Sequence, residues 1–398
     1  MIHSNDNILF VVHSYNSFQK ESINSLCKYF NECSVLVRSN PIAEISKYIT
    51  IPYLDIFKLD HKIDKTNIPP NIKVWPTKII YAPLDAQYKR LGEKHYKAVE
   101  NTINKKKVEF NIIHSHFTWS SGYVGAKIKE KYSVPFVVTT HGYDIYNLPF
   151  KDEEWKERIE YVLNSADHII TVSKSNLECI RKLTVKTPVT VLPNGYRDDL
   201  FYPEDQKKCR NALNIPHGKK IILTVGSLLE IKGHKYLIEA MGEVVKRRND
   251  VQCYIVGGGV LEKKLKKQIV SRGLQDYVKV VGSRPHDEIP IWLNACDVFV
   301  LPSLNEGNPT VMFECLGCGK PFVGTKVGGV PEIITSDDYG LLCETGRTKE
   351  LEENILLALN KEWDNIKIKE YSEQFTWDVI ARKIANIYSE VGFINLDV

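Results

Sequence analysis

Short runs of β-branched and apolar residues recur along the chain, separated by stretches in which apolar positions return at helical spacing. The first series comprises Ile8 to Val12, Val35 to Val37, Ile112 to His116, Pro135 to Thr140, His168 to Val172 and Val189 to Leu192. A second comprises Ile221 to Val225, Gln252 to Val256, Val278 to Val281, Val298 to Leu301 and Pro321 to Val323. Strand-length apolar runs alternating with helical stretches predict an α/β protein with two mostly parallel sheets, each covered on both faces. Pro193-Asn194-Gly195, Asp198-Asp199 and Pro203 form a cluster of turn formers without periodicity, which places a domain boundary between the two series. The spacing of Trp377, Ile380, Ile384 and Ile387 predicts a closing amphipathic helix from Trp377 to Val391. The division read from the sequence is 1–195, 196–376 and 377–398. Open, doubly wound sheets bind ligands outside the carboxyl ends of their strands, so chemistry is sought in the loops that follow them.

A length of 398 residues fits two or three domains, and Lys+Arg 53 against Asp+Glu 49 leaves a net charge of only +4. Wholesale electrostatic binding of nucleic acid is therefore not expected. No apolar run approaches the roughly 18 residues that would span a bilayer. The start, Met1-Ile2-His3-Ser4-Asn5-Asp6, lacks the basic and apolar regions of a secretory signal, so a cytoplasmic address is expected. The nine cysteines include one C-x-x-C pair, Cys315 and Cys318, with no second pair nearby, and they read as buried thiols. His114 and His116 share one side of a strand without a third ligand close by, so no metal is assigned.

Several chemistries are disfavoured by missing residues. Gly257-Gly258-Gly259 lacks the third glycine of a dinucleotide fingerprint, and Gly319-Lys320 has Glu314 and Pro321 where a P-loop needs glycine and a hydroxyl residue. No G-x-S-x-G, H-E-x-x-H or D-x-D occurs, which argues against an α/β-hydrolase, a zincin and a transferase that holds a metal with paired aspartates.

The segment Pro302 to Glu314 follows the buried run Val298 to Leu301 and carries the most chemistry. Asn308 is a good N-cap and Pro309 suits a first helical position, so a helix is predicted to begin there with its free N–H groups available to an anion. Glu306 then lies before the helix and Glu314 more than one turn inside it, on the order of 10 Å away along the axis. Two acceptors flanking a phosphate site suit a nucleotide sugar, since a carboxylate can accept both hydroxyls of a diol.

Glu306 to Glu314 resembles the E-x7-E motif of the retaining glycosyltransferases called glycosyl transferases group 1, or family 4, which share the two-domain GT-B fold. Gly319-Lys320-Pro321 and Gly328-Gly329-Val330-Pro331-Glu332 are similar to two further runs of that family. So are Gly226-Ser227-Leu228 with Lys232-Gly233, His114-Ser115-His116, Thr140-His141-Gly142 with Asp144, and Pro193-Asn194-Gly195 through Phe201 and Pro203. The resemblance covers nearly the whole chain in order. It implies two Rossmann-like, doubly wound α/β domains facing across a cleft, with the final helix crossing back to the N-terminal domain. It also implies that Glu314 holds the donor ribose, Glu306 contacts the donor sugar, Lys232 neutralises the diphosphate and His141 lies near the transferred sugar. Backbone groups of Asn308, Pro309, Thr310 and Val311 would bind sugar and phosphate, and Asn16, His116 and Asp144 are candidates on the acceptor side. No cofactor or metal is implied beyond the nucleotide-diphosphate sugar as donor substrate.

The chain departs from the family at two places. Ser227 stands where a phosphate-binding arginine is usual, which shifts charge stabilisation to Lys232, the helix start and Arg284 if it reaches. His13-Ser14-Tyr15-Asn16-Ser17 replaces a glycine-rich loop, and Asn16 and Ser17 read instead as a cap for the next helix. The expected partners are a nucleotide sugar and a glycan, lipid-linked or small-molecule acceptor. Asp85 to Lys107 holds seven Lys/Arg against three acids and could rest on an anionic membrane face, or be a solvated helix face. Lys263, Lys264, Lys266 and Lys267 read as another solvated face. An inactive accessory subunit of a transferase complex is the alternative, motivated by Ser227 and the missing glycines.

Overall fold

The computed structural model describes residues 6–47, 58–82 and 84–392. The chain divides into two compact units, one formed by Met1–Pro193 with Trp377–Val398 and the other by Asn194–Thr376.

The first unit holds a seven-stranded sheet: β1 (Asn7–Val12), β2 (Glu32–Ser39), β3 (Ile72–Lys78), β4 (Ile112–His116), β5 (Phe136–Thr140), β6 (His168–Thr171) and β7 (Val189–Val191). Their order is β3-β2-β1-β4-β5-β6-β7, and every pairing is parallel. Parallel neighbours need long crossovers, which the intervening helices supply and which cover both faces. Hence β1 is apolar on both sides: Ile8, Phe10 and Val12 pack into one core and Leu9 and Val11 into another. The helix Trp377–Glu390 completes the first of these cores with Trp377, Ile380, Ile384, Ile387 and Tyr388. Trp377 Nε1 donates to Glu21 Oε2 at 3.0 Å, and Tyr388 Oη lies 2.6 Å from His114 Nδ1. The chain thus returns to its first unit, as the family resemblance implies.

The second unit repeats the plan with β8 (Lys220–Val225), β9 (Val251–Val256), β10 (Val278–Gly282), β11 (Val298–Leu301), β12 (Phe322–Thr325) and β13 (Gly340–Cys343). The order is β10-β9-β8-β11-β12-β13, again parallel. In both sheets strand order reverses beside the first strand, between β1 and β4 and between β8 and β11, which is where such sheets open a crevice for ligands.

The pattern of apolar runs omits β3 and β13, which are edge strands. The predicted closing helix ends one residue earlier than expected, at Glu390. Cys315 and Cys318 lie in the core of the second unit, where burial pushes both thiols well up.

Candidate active site

The second sheet's crevice collects the acidic loop. After β11 the chain turns through Pro302 to Pro309 into the helix Thr310–Gly317. The turn after β8 ends in Lys232-Gly233, where Gly233 has φ +65 and a Cβ would stand 2.0 Å from the Pro302 carbonyl oxygen. Only glycine allows that approach, and Leu304 N donates to Ile231 O at 2.8 Å beside it. The two loops are therefore fastened together. Gly328, φ +49, abuts the Glu306 carbonyl in the same way, with 1.9 Å left for a Cβ.

This fastening brings Lys232 and Glu306 into an ion pair, Nζ to Oε1 2.7 Å, and Ser303 Oγ donates to the same carboxylate oxygen at 2.7 Å. The Glu306 side chain is 9% exposed and that of Lys232 25%. Glu314 is 5% exposed and its Oε1 lies 3.0 Å from His286 Nε2. His286 follows β10 and packs against Phe201. His234, at the start of the helix His234–Arg247, sets Nε2 3.2 Å from the Ser227 carbonyl. Burial lowers its imidazole to about 4, so the ring is neutral. The result is a buried carboxylate, a second carboxylate shared with an ammonium, and a short helix start, all at one sheet edge.

Some sequence expectations need correction. Asn308 does not cap the helix: Pro309 occupies the N-cap position, and no side chain caps it. The Asn308 amide oxygen instead accepts from Asn194 N at 2.8 Å, and its carbonyl accepts from Asn194 Nδ2 at 2.7 Å. The asparagine therefore locks the start of the second unit to the acidic loop, while Thr310 and Val311 lie half-buried in the first turn. Ser227 and Arg284 are both exposed. His286, two residues beyond Arg284, is the residue that sequence reasoning passed over; its only signal is its place after a strand.

In the first unit, His116 ends β4 and His141 follows β5, with His116 Nδ1 3.0 Å from His141 Nε2 and the rings stacked at 5.1 Å. Burial holds His116 at about 3 and His141 well below its ordinary value, so both are neutral hydrogen-bonding groups. Asp144 accepts from the N–H groups of His141, Gly142 and Thr118 at 3.1, 2.9 and 2.9 Å. It ties the loops after β4 and β5 together, and burial raises its carboxyl. Asn16 stands at the N-cap of Ser17–Leu26 without capping it; its Nδ2 donates to His61 O at 2.6 Å. The side chain of Ser17 lies outside the described residues.

The basic stretch is two helices, Asp85–Lys89 and Leu91–Lys106. Lys89 is taken up by Asp152 and Glu154 at 2.8 and 2.9 Å, whereas Arg90, Lys94 and Lys97 face solvent. Among the described residues no helix is long and apolar enough to cross a membrane. In the other unit, Lys266 pairs with Glu262 on the helix Glu262–Ser271.

Residues 205–375 match the glycosyl transferases group 1 family and residues 69–200 match Glycosyltransferase Family 4. An uncharacterized glycosyltransferase of Methanocaldococcus jannaschii is 29% identical over 301 residues, 75% of this chain and 80% of the relative. The D-inositol 3-phosphate glycosyltransferase of Corynebacterium jeikeium is 27% identical over 308 residues, 71% and 73% of the two chains. The fold is shared with sucrose-phosphate synthase of Thermosynechococcus elongatus, TM-score 0.77 at 20% identity over 97% of this chain and 99% of the other. It is also shared with Anabaena HepE in complex with UDP-glucose, TM-score 0.72 at 21% identity over 97% and 100%. With a group 1 match over the second unit, a family 4 match largely over the first, and this shared architecture, the chain belongs to the GT-B glycosyltransferases of the family 4 type.

Proposed function

We propose that this glycosyltransferase is retaining and metal-independent, and takes its sugar from a nucleotide-diphosphate donor. The acceptor is a glycan, a lipid-linked sugar or a small molecule, in the assembly of a polysaccharide or surface glycan. The observation that carries the reading is the Lys232–Glu306 ion pair beside the buried Glu314. Departure of a nucleoside diphosphate builds negative charge on phosphate oxygen, and in the absence of paired aspartates a protein cation serves that charge. Lys232 fits, because its ammonium is already held at the sheet edge and can turn from Glu306 to phosphate. Glu314 suits the ribose diol, and the complexes of HepE, which shares the fold, with UDP and UDP-glucose support a nucleotide-sugar donor.

Retention without an evident nucleophile favours front-side displacement. The acceptor oxygen bonds to the anomeric carbon on the face from which the sugar–phosphate bond breaks. The hydroxyl proton passes to the departing phosphate oxygen. Thermal-shift measurements with UDP, GDP, ADP and their sugars, with and without magnesium, test the donor class. A ligand at about 100 times its Kd should stabilise the fold by about 2.7 kcal/mol. Stabilisation by one nucleotide family without magnesium, lost in Glu314→Ala, supports the reading. No response to any nucleotide would favour the accessory-subunit alternative, for which the exposed Ser227 hydroxyl is the structural motive.

A further inference from the structure

We propose that His116 is a positioning residue: its Nδ1–H donates to His141 Nε2 and fixes His141 as the Nδ1–H tautomer, the form in which it hydrogen-bonds the transferred sugar. The tautomer stands on the geometry of the first unit alone. The sugar contact rests on the glycosyltransferase reading and on the family resemblance that puts His141 near it.

His114 and His116 lie two residues apart on β4, so their side chains leave the same face of the sheet. It is the face that the closing helix covers, since Tyr388 Oη stands 2.6 Å from His114 Nδ1. The phenol is fully buried, and burial pushes its pKa well up, so it keeps its proton. That proton goes to His114 Nδ1, which puts the imidazole proton of His114 on Nε2, 2.7 Å from Thr139 Oγ1. Held at both nitrogens, His114 offers a fixed plane. His116 stacks on it at 4.8 Å, and His141 stacks on His116 in turn at 5.1 Å and 15°. Phe10 flanks His116 at 6.4 Å and Phe117 flanks His141 at 4.6 Å. The column of rings thus runs from the closing helix to the carboxyl edge of the sheet, where His141 follows β5.

His116 Nδ1 and His141 Nε2 are 3.0 Å apart, close enough for one proton to lie between them. Burial keeps both rings neutral, so each carries a single proton. Two arrangements are open. If His141 Nε2–H donates, the His116 proton must sit on its own Nε2, a buried nitrogen with no hydrogen-bond partner among the described residues. If His116 Nδ1–H donates, that Nε2 is left only with an unused lone pair. His116 is 2% exposed, and a buried N–H without an acceptor is the rarer and costlier failing. The second arrangement follows. His141 then accepts at Nε2, and its proton is confined to Nδ1. Asp144 holds the backbone N–H of the same residue at 3.1 Å, so ring and main chain are fixed by separate partners. His116 acts here through His141 rather than by touching the acceptor itself.

The test is proton–nitrogen correlation spectroscopy of the histidine rings in the full chain, which shows the protonated nitrogen of each ring without any substrate. The parent should carry the protons of His116 and His141 on Nδ1. In His116→Asn the side-chain amide puts a donor in the place of Nδ1, and His141 should stay Nδ1–H. In His116→Leu the donor is gone, and the His141 proton should move to Nε2 in part or in whole. A His141 proton on Nε2 in the parent, or one still confined to Nδ1 in His116→Leu, would overturn the proposal. If His116→Leu does not fold, the parent spectrum decides by itself. Turnover is read on the same samples as nucleoside diphosphate released from UDP-glucose, GDP-mannose and ADP-glucose. With the donor that the parent uses, kcat should fall about tenfold in His116→Leu at little-changed donor KM, the range for one neutral hydrogen bond, and recover in His116→Asn. Equal kcat in the parent and His116→Leu, or a loss in His116→Asn as deep as in His116→Leu, overturns the positioning role. A parent inactive with all three donors counts against the glycosyltransferase reading and removes the sugar contact, while the spectra still decide the tautomer.

Discussion

Lys232 Nζ stands 2.7 Å from Glu306 Oε1 although the two residues are 74 positions apart. The pair exists because two turns, one after β8 and one after β11, are fastened through Gly233, Pro302 and the Leu304–Ile231 hydrogen bond. An ammonium held this way can follow charge as it forms. Lys232→Ala is therefore expected to lower kcat by about 10²- to 10³-fold with a small change in donor affinity, the range for losing one group that stabilises an oxyanion. Steady-state kinetics with donor and acceptor saturated separately give the split.

Glu314 should show the opposite division. Glu314→Ala is expected to weaken nucleotide binding at least about tenfold, because a charged hydrogen-bond acceptor contributes about 1.5–3 kcal/mol. His286→Ala should weaken it less, by freeing the carboxylate to rotate, and titration calorimetry with the nucleotide orders the two variants.

Gly233→Ala combines left-handed backbone with collision against the Pro302 carbonyl. Backbone strain of this kind costs on the order of 1–3 kcal/mol. Activity should fall further than the melting temperature, since the strain is absorbed by the two loops that align Lys232 with Glu306.

Acid should unfold the first unit before the second. His13, His95, His114, His116, His141 and His168 are all held below their usual 6.5 by burial. As pH falls below 6.5 the unfolded chain takes up protons that the folded unit refuses, so stability drops by up to about 1.4 kcal/mol per pH unit for each ring. The raised carboxyl of Asp144 acts in the opposite direction, one group against six. Hydrogen exchange followed by mass spectrometry between pH 7 and 5 should show protection lost first in β1, β4 and β5; uniform loss would contradict this.

Tyr388→Phe removes the hydroxyl next to His114 Nδ1 and leaves that nitrogen buried without a partner. The expected cost is about 1–3 kcal/mol. A lowered denaturation midpoint at unchanged slope checks it.

Most strands were legible because central strands of parallel sheets are apolar on both faces. β3 was not, since Ile72–Lys78 alternates apolar residues with lysines and includes Pro76, as suits a strand at the sheet edge. β13 is four residues long and opens with Gly340, whose missing Cβ lets the Phe322 carbonyl pass. The site was legible where residues share one short stretch of chain, as Glu306 in its loop and Glu314 in the helix that follows do. The Glu314–His286 contact was not, because it joins that helix to the turn after β10 and leaves no local spacing. Asn308 was misread because the same amide that favours a helix cap can hold a distant backbone, here that of Asn194.

The return of the chain to its first unit sets an order of events during synthesis. Phe10 and Val12 share a core with Trp377, Ile384 and Tyr388, so the ribosome must finish the whole second unit before that core of the first unit can be completed. The intervening unit can fold as soon as it emerges, whereas the first waits with part of an apolar face open to chaperones. A nascent chain that stops before Trp377 is then a half-built protein rather than a shortened one.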